Sequence, residues 1–405
     1  MAFARLSIVE DIVAYVDKPL VKVITGLRRS GKSSILQLLQ EYLLDQGVDT
    51  NRVIHINFES LRNQHLLTAD QLYTYLSEKV SSDSQYYLFL DEIQEVKDWE
   101  KAINSCLVDF RVDIYITGSN SNLLSSELST YLAGRYVSFL IKPLSFREVI
   151  EFYNFTHKDT QDLNFHFERY LKLGGFPVLH IADYEYDDAY RIVYDIYTST
   201  ILRDTIQRYG IRDIELLERV VKFSFENMGH TFSANRVAQY FKSQYRKVDI
   251  NTIHNYLEAL ESAFLLQKVE RYDVKGKEIL KTQEKYFPGD HAFLYALFGY
   301  RTEAISGILE SIVYHELTRR GYRVYIGKLD RTEIDFVAKK KNEVIYIQVA
   351  YKMELPETIK REYQPLLKIK DQYPKLLLSM DNDRQDNYEG IKHLHVRDFL
   401  LDENF

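Results

Sequence analysis

Residues 20–34, LVKVITGLRRSGKSS, constrain this chain more than any other stretch. An apolar, β-branched run ends at Thr25. Gly26 follows, then four residues, then Gly31, Lys32 and Ser33. Beyond them Ile35, Leu36, Leu38, Leu39, Tyr42 and Leu43 recur at helical spacing. A buried strand, a glycine-bracketed loop and a helix in that order make a cradle for phosphates. Glycines let backbone N–H groups wrap the phosphate oxygens, and the helix N-terminus adds its positive end. Gly26, Arg28, Arg29, Ser30, Gly31, Lys32, Ser33 and Ser34 are therefore the expected nucleotide-binding residues. Lys32 would reach the β and γ phosphates, and Ser33 would hold Mg²⁺.

A second strand supports the first. YYLFLDEIQEV at 86–96 is apolar and ends in Asp91 and Glu92. Two carboxylates there suit a magnesium shell, reached from Asp91 through water, and a base, Glu92, that polarises the attacking water. VDIYITGSN at 112–120 reads as a third strand. Ser119 and Asn120 at its end either sense the γ-phosphate or form a polar turn. Arg135 stands just before a further strand, as an ion-pair partner or as a finger reaching a neighbouring subunit's nucleotide.

Taken together, GLRRSGKSS, LFLDEIQ, ITGSN, LAGRY and PLSFRE resemble the AAA-type ATPases found widely in bacteria and archaea. In that group a winged-helix segment and a restriction-endonuclease-like domain follow the ATPase core. The resemblance implies ATP and Mg²⁺ as cofactors and Lys32 and Ser33 as nucleotide ligands. It makes Asp91 and Glu92 the Walker B pair, Asn120 a sensor and Arg135 the arginine after LAG, acting in cis or in trans. The expected fold is α/β: a parallel-sheet P-loop core over 1–155 and a helical lid over 156–231. A winged helix over 232–290 and a nuclease-like domain over 291–405 complete it.

Within the expected winged helix, Ser233 caps a helix with Val237, Ala238 and Phe241 on one face. A second helix carries Ile250, Ile253, Leu257, Leu260 and Phe264 as its core stripe. That stripe leaves Asn251, Thr252, Asn255 and Tyr256 facing outward, where a recognition helix carries its contacts. A hairpin turning at Gly276 offers a wing with Lys275, Lys277 and Lys281. From Ser233 to Tyr256 four basic residues, Arg236, Lys242, Arg246 and Lys247, face one acid, Asp249. The chain's net charge is −7, so nucleic-acid contact has to come from such a local patch. Winged helices also serve as protein interfaces or lids, and that reading stays open.

In the last quarter, a helix carrying Glu310 precedes EIDFVAKKKNEVIYIQVAYK. The order resembles the nuclease-like fold, in which a helix glutamate, a strand aspartate and a Glu-x-Lys bind metal. Glu310 and Asp335 match. Gln348 replaces the acid and Ala350 the lysine, while Lys352 stands two residues further along the same strand face. A metal-dependent nuclease needs two or three carboxylates and an electrophile. The set therefore reads as the remnant of a site, with an active nuclease as the alternative. His393 and His395 alternate on one strand and lack a third metal ligand, so they read as structural.

One cysteine, no signal-peptide core and no apolar run of roughly 18–20 residues point to a cytoplasmic protein without membrane spans. The expected function is Mg²⁺-dependent ATP hydrolysis coupled to DNA binding and remodelling or translocation, on duplex or branched DNA, by a homo-oligomer. The rival is a nucleotide-controlled signalling or scaffolding switch that binds a protein partner.

Overall fold

In the computed structural model the described residues are 5–81, 83–121, 132–156, 162–244, 248–382 and 386–403. The chain divides into two compact units. One runs to Pro143; the other holds Leu144–Glu261 and everything from Leu265 onward.

The first unit is built on five parallel strands: β1 (Val21–Thr25), β2 (Val53–Asn57), β3 (Tyr86–Asp91), β4 (Val112–Gly118) and β5 (Tyr136–Leu140). Their order across the sheet is β2-β3-β4-β1-β5. The three central strands β1, β3 and β4 are buried almost throughout, which is why they read as continuous apolar runs rather than alternating ones. One core joins β1, β3 and β4 to Leu72, Leu76, Trp99, Ile103 and Cys106 of the helices Ala69–Lys79 and Trp99–Asp109. A separate core seats Ile35, Leu36, Leu39 and Leu43 of the helix Lys32–Asp45 on Ile24, Phe89 and Tyr115. Lys22, the one charge in the β1 run, is fully buried and pairs with Asp113 of β4. A buried ion that finds its counter-ion is tolerated inside such a sheet.

The second unit opens with helices. Tyr186–Ser199 continues without a break into a π-helical stretch, Thr200–Gln207, and Ile214–Glu226 follows. The expected pair of helices is present at Ala234–Ser243 and Ile250–Ser262, the first capped by the Ser233 side chain on the Arg236 N–H. Next come β6 (Leu266–Asp273) and β7 (Glu278–Pro288), an antiparallel hairpin. Six more strands follow: β8 (Arg323–Leu329), β9 (Thr332–Lys340), β10 (Glu343–Val349), β11 (Lys375–Ser379), β12 (Asn387–Tyr388) and β13 (Ile391–His395).

All eight form one sheet in the order β12-β13-β11-β10-β9-β8-β6-β7. The hairpin expected as a wing is thus an edge of the C-terminal sheet. Its strand β6 pairs in parallel with β8 through Arg271, Tyr272 and Asp273. The helix Pro356–Leu367 packs Tyr363 and Leu366 against Tyr272, Tyr325, Val337 and Tyr346. Tyr314 of the helix Ile305–Arg319 stacks on Phe287 of β7, with ring centroids 5.1 Å apart.

Candidate functional site

In a parallel sheet the strands deliver their last residues to one edge, and here that edge gathers the chemistry. Asn57 is level with Asp91 in the pairing of β2 with β3, and its side-chain N–H donates to Asp91 Oδ2 (2.9 Å). Thr117, near the end of β4, donates its hydroxyl to Asp91 Oδ1 (2.5 Å) and accepts the Glu92 N–H (2.9 Å). Asp91 is thereby held on both oxygens. Glu92 lies just past the strand in a left-handed backbone conformation, φ 56° and ψ 50°. Non-glycine residues adopt that conformation sparingly, and it recurs where a side chain must be aimed.

The glycine loop joins the same edge. Gly26 has φ 151°, and a Cβ there would lie 2.1 Å from the Ile141 carbonyl oxygen, so no larger residue fits. Gly31 opens the helix Lys32–Asp45 in the left-handed region. Lys32 is buried and donates to the carbonyls of Gly26 (3.1 Å) and Leu27 (3.3 Å). Its Nζ lies 3.7 Å from Glu92 Oε1, which brings the expected lysine and base together. Arg28 reaches across the loop to Glu59, 2.6 Å away, whereas Arg29, Ser33 and Ser34 are exposed. Ser119 and Asn120 are fully buried beside this edge, just past β4.

Two buried hydroxyls here, Thr25 Oγ1 and Ser30 Oγ, find no hydrogen-bond partner among the described residues. Buried polar groups are normally paired. A cradle shaped by an obligatory glycine, with a lysine and two such hydroxyls, fits the phosphates of a nucleotide. Ser33 and the Asp91–Asn57–Thr117 group fit the shell of a magnesium ion.

Arg135 is elsewhere. It precedes β5, and its carbonyl accepts the Val21 N–H (2.8 Å) at the start of β1. The glycine loop leaves the far end of β1, about 15 Å away at the rise of a strand. The Arg135 guanidinium donates to Asn104 (3.3 Å) and lines a cleft of about 450 Å³ with Asp17, Lys18, Arg111 and Asp113. Within one chain it does not meet its own loop.

Reading the sequence missed Asn57, Glu59 and Thr117. The signal available was positional: each stands near or just past the end of a strand leading to the edge that holds Asp91.

In the second unit the nucleic-acid candidates are only partly assembled. Asn251 and Asn255 are exposed near the start of Ile250–Ser262, and Thr252 is half-buried. Tyr256, expected outward, is buried and donates its hydroxyl to the Asp213 carbonyl (3.3 Å). It falls one helical turn below Thr252, against the preceding helices. Arg236 and Lys242 are exposed, and Arg236 donates to the Thr231 carbonyl (3.1 Å). Lys275 is tied to Asp330 (2.6 Å), while Lys277 sits exposed at the hairpin turn. Arg246 and Lys247 lie outside the described residues, as does the Lys281 side chain.

The nuclease-like set is built differently from the expectation. Glu310 and Asp335 do converge, but the cation among them is Lys285 of β7. Its Nζ lies 2.9 Å from Glu310, 2.9 Å from Glu333 and 3.6 Å from Asp335, and its side chain is 1% exposed. Burial alone would lower this ammonium's pKa. Glu310, Asp335 and Glu333 outweigh that and hold it above the ordinary lysine range. Burial, then the Glu310 charge, pushes Asp335 up to about 8. Gln348 flanks the set, accepting the Asp335 N–H (3.4 Å) and donating to Glu362 (3.4 Å).

Lys352 does not belong to the set. The strand β10 ends at Val349, so the alternation that would align residue 352 with Gln348 stops. Its side chain is 50% exposed and faces Glu354 at 3.8 Å. Among the described residues, no group of three or more His, Cys, Asp or Glu is arranged to hold a metal ion. His393 instead bridges Tyr363 (3.0 Å) and Ser379 (2.8 Å), and His395 caps the last helix by accepting the Arg397 N–H. No helix among the described residues is long and apolar enough to cross a membrane.

A family model described as an AAA domain matches residues 18–150, and one described as a domain of unknown function matches residues 164–304. Over 399 residues the chain is 38% identical to an uncharacterized protein of Haemophilus influenzae, covering 98% of both. Over 395 residues it is 31% identical to the uncharacterized protein MJ1544 of Methanocaldococcus jannaschii, covering 93% of this chain and 85% of the relative. Among solved structures, the Walker-type ATPase of Pyrococcus abyssi superposes with a TM-score of 0.52 at 14% identity. That match covers 73% of this chain and 95% of the other, and it establishes likeness of fold. The chain belongs to one family with the H. influenzae and M. jannaschii proteins, and its residues 18–150 are an AAA domain of the P-loop ATPase fold.

Proposed function

We propose that the protein is a Mg²⁺-dependent ATPase whose hydrolysis drives DNA binding and remodelling or translocation. The observation that carries the ATPase reading is the convergence of Lys32 and Glu92, 3.7 Å apart, at the mouth of a loop that only glycine can form. Bound Mg²⁺ would neutralise phosphate charge as it develops in the reaction. The chain's own groups do the rest. Backbone N–H groups of the loop and the Lys32 ammonium bind the phosphates. Asp91, fixed by Asn57 and Thr117, would hold the ion together with Ser33. Glu92 takes the proton of the attacking water, whose oxygen bonds the γ-phosphorus as the bond to the β-phosphate oxygen breaks. Asn120 senses the γ-phosphate. Because Arg135 sits a strand length from its own loop, its place in hydrolysis is at a neighbouring copy's nucleotide, which makes the working form a homo-oligomer.

DNA contact rests on the exposed start of Ile250–Ser262, with Asn251 and Asn255, and on Lys242 and Lys277. We read the nuclease-like sheet as a gripping surface, its acids occupied by Lys285. A second reading, a nucleotide-controlled switch for a protein partner, is favoured by the net charge of −7 and by Lys275 being spent on Asp330. ATP turnover with and without duplex, single-stranded and junction DNA decides between them. Stimulation that weakens with salt supports the DNA reading. Turnover indifferent to every DNA, and changed by an added protein partner, supports the switch.

A further inference from the structure

We infer that Gln94 is a positioning residue for the Glu92 carboxylate, holding it by a neutral hydrogen bond in the orientation from which it accepts a proton. This rests on the ATPase reading above. Glu92 has its backbone fixed by the Thr117 hydroxyl and by the turn in which the Glu95 N–H donates to the Glu92 carbonyl (3.1 Å). Its side chain needs its own restraint, because a carboxylate on two methylenes samples several rotamers. Lys32 does not provide it. At 3.7 Å from Oε1 its ammonium is not a close partner, and it already serves the Gly26 and Leu27 carbonyls. Gln94 does: its amide N–H donates in a short contact to Glu92 Oε2.

The 3₁₀ turn Ile93–Glu95 makes this possible. It anchors Ile93 and Val96 in the core and folds the side chain two residues on back toward Glu92. The amide's orientation follows from charge, since turning it over would press two oxygens together. Its Oε1 is then buried without a hydrogen-bond partner among the described residues. A glutamine placed only for packing has no reason to carry that desolvation cost. The chemistry supplies one: an amide restrains the carboxylate without neutralising it, where lysine would quench the base and glutamate would repel it.

The test uses the whole chain with Gln94→Met, Gln94→Glu and Glu92→Gln, measuring ATP binding, kcat and KM. Gln94→Met keeps the bulk and removes the hydrogen bond, so kcat should fall about 10- to 100-fold with KM within about twofold. Gln94→Glu keeps the size and replaces the donor by a like charge, so kcat should fall at least as far, again with ATP affinity within about twofold. A merely structural role would not split kcat from ATP affinity in this way. If Glu92→Gln is inactive while Gln94→Met turns over within about twofold of wild type, the inference is overturned and the ATPase reading stands. If wild type binds no ATP or does not turn it over, the ATPase reading falls and takes this inference with it. Should Gln94→Met fail to fold, Gln94→Glu decides in its place, and turnover within about twofold of wild type overturns the inference.

Discussion

Lys32 of the first unit and Lys285 of the second are both buried, and they are partnered in opposite ways. Lys32 is held by two backbone carbonyls, with its nearest carboxylate at 3.7 Å. Phosphate oxygens are stronger, charge-assisted acceptors than those carbonyls. Lys285 has the Glu310 and Glu333 carboxylates at 2.9 Å and the Asp335 carboxyl at 3.6 Å, inside a sheet. Nothing a ligand offers improves on that arrangement. The same residue type is thus left with weak neutral partners in one site and made an internal counter-ion in the other.

The sharpest way to break this contrast is to remove each lysine. Lys32→Ala should weaken ATP binding by at least about 100-fold while leaving the fold intact, measured with a fluorescent ATP analogue and by thermal unfolding. Lys285→Ala should do the reverse. Removing one partner of a buried cluster strands the others, so the second unit should lose about 3–5 kcal/mol with ATP affinity unchanged. The single tryptophan, Trp99, lies in the first unit. Its fluorescence in urea should therefore hold while the circular dichroism transition moves to lower denaturant. Equal losses in both signals would erase the distinction.

A pH series sharpens it further. The Asp335 carboxyl sits at about 8 in the folded protein against an ordinary 3.8. The folded state therefore binds the extra proton, and its contribution is full below the unfolded value. It is lost as pH rises through about 8. The urea midpoint of the second unit should decline across that window, and Asp335→Asn should flatten the decline. The smallest effect belongs to the groups behind Asp91: Thr117→Val should cost about 10-fold in turnover or Mg²⁺ dependence, as loss of an outer partner of a metal ligand does. No change on Thr117→Val would mean Asp91 is held well enough by Asn57 alone.

How far the sequence foretold this differs between the sites. The glycine loop, Lys32, Asp91 and Glu92 were legible because the loop is continuous in sequence and the strands around it are buried on both faces. Asn57 and Thr117 were hidden as polar residues near the ends of mainly apolar strands, meaningful only once parallel pairing brings them beside Asp91. Arg135 was legible as a residue, but its placement depended on which end of β5 adjoins β1.

Lys285 was not legible. It comes from a hairpin read as a wing, and the parallel pairing of β6 with β8, Arg271 with Ile326, is too distant in sequence to leave a local trace. The motif pointed to a lysine missing from β10, whereas the fold supplies one from β7. Gln348 lies beside Asp335, whose N–H it accepts. Lys352 was misplaced because period-two reasoning was carried past the end of the strand.

The central claim is that this protein's chemistry runs through Glu92, and that the acids around Lys285 are spoken for. One preparation tests it: wild type, Glu92→Gln and Asp335→Asn, each given Mg²⁺ or Mn²⁺, ATP and duplex or junction DNA, with phosphate release and strand cleavage read together. The account predicts phosphate release in wild type and Asp335→Asn, none in Glu92→Gln, and no cleavage in any of the three. Cleavage that survives Glu92→Gln and disappears in Asp335→Asn would contradict it.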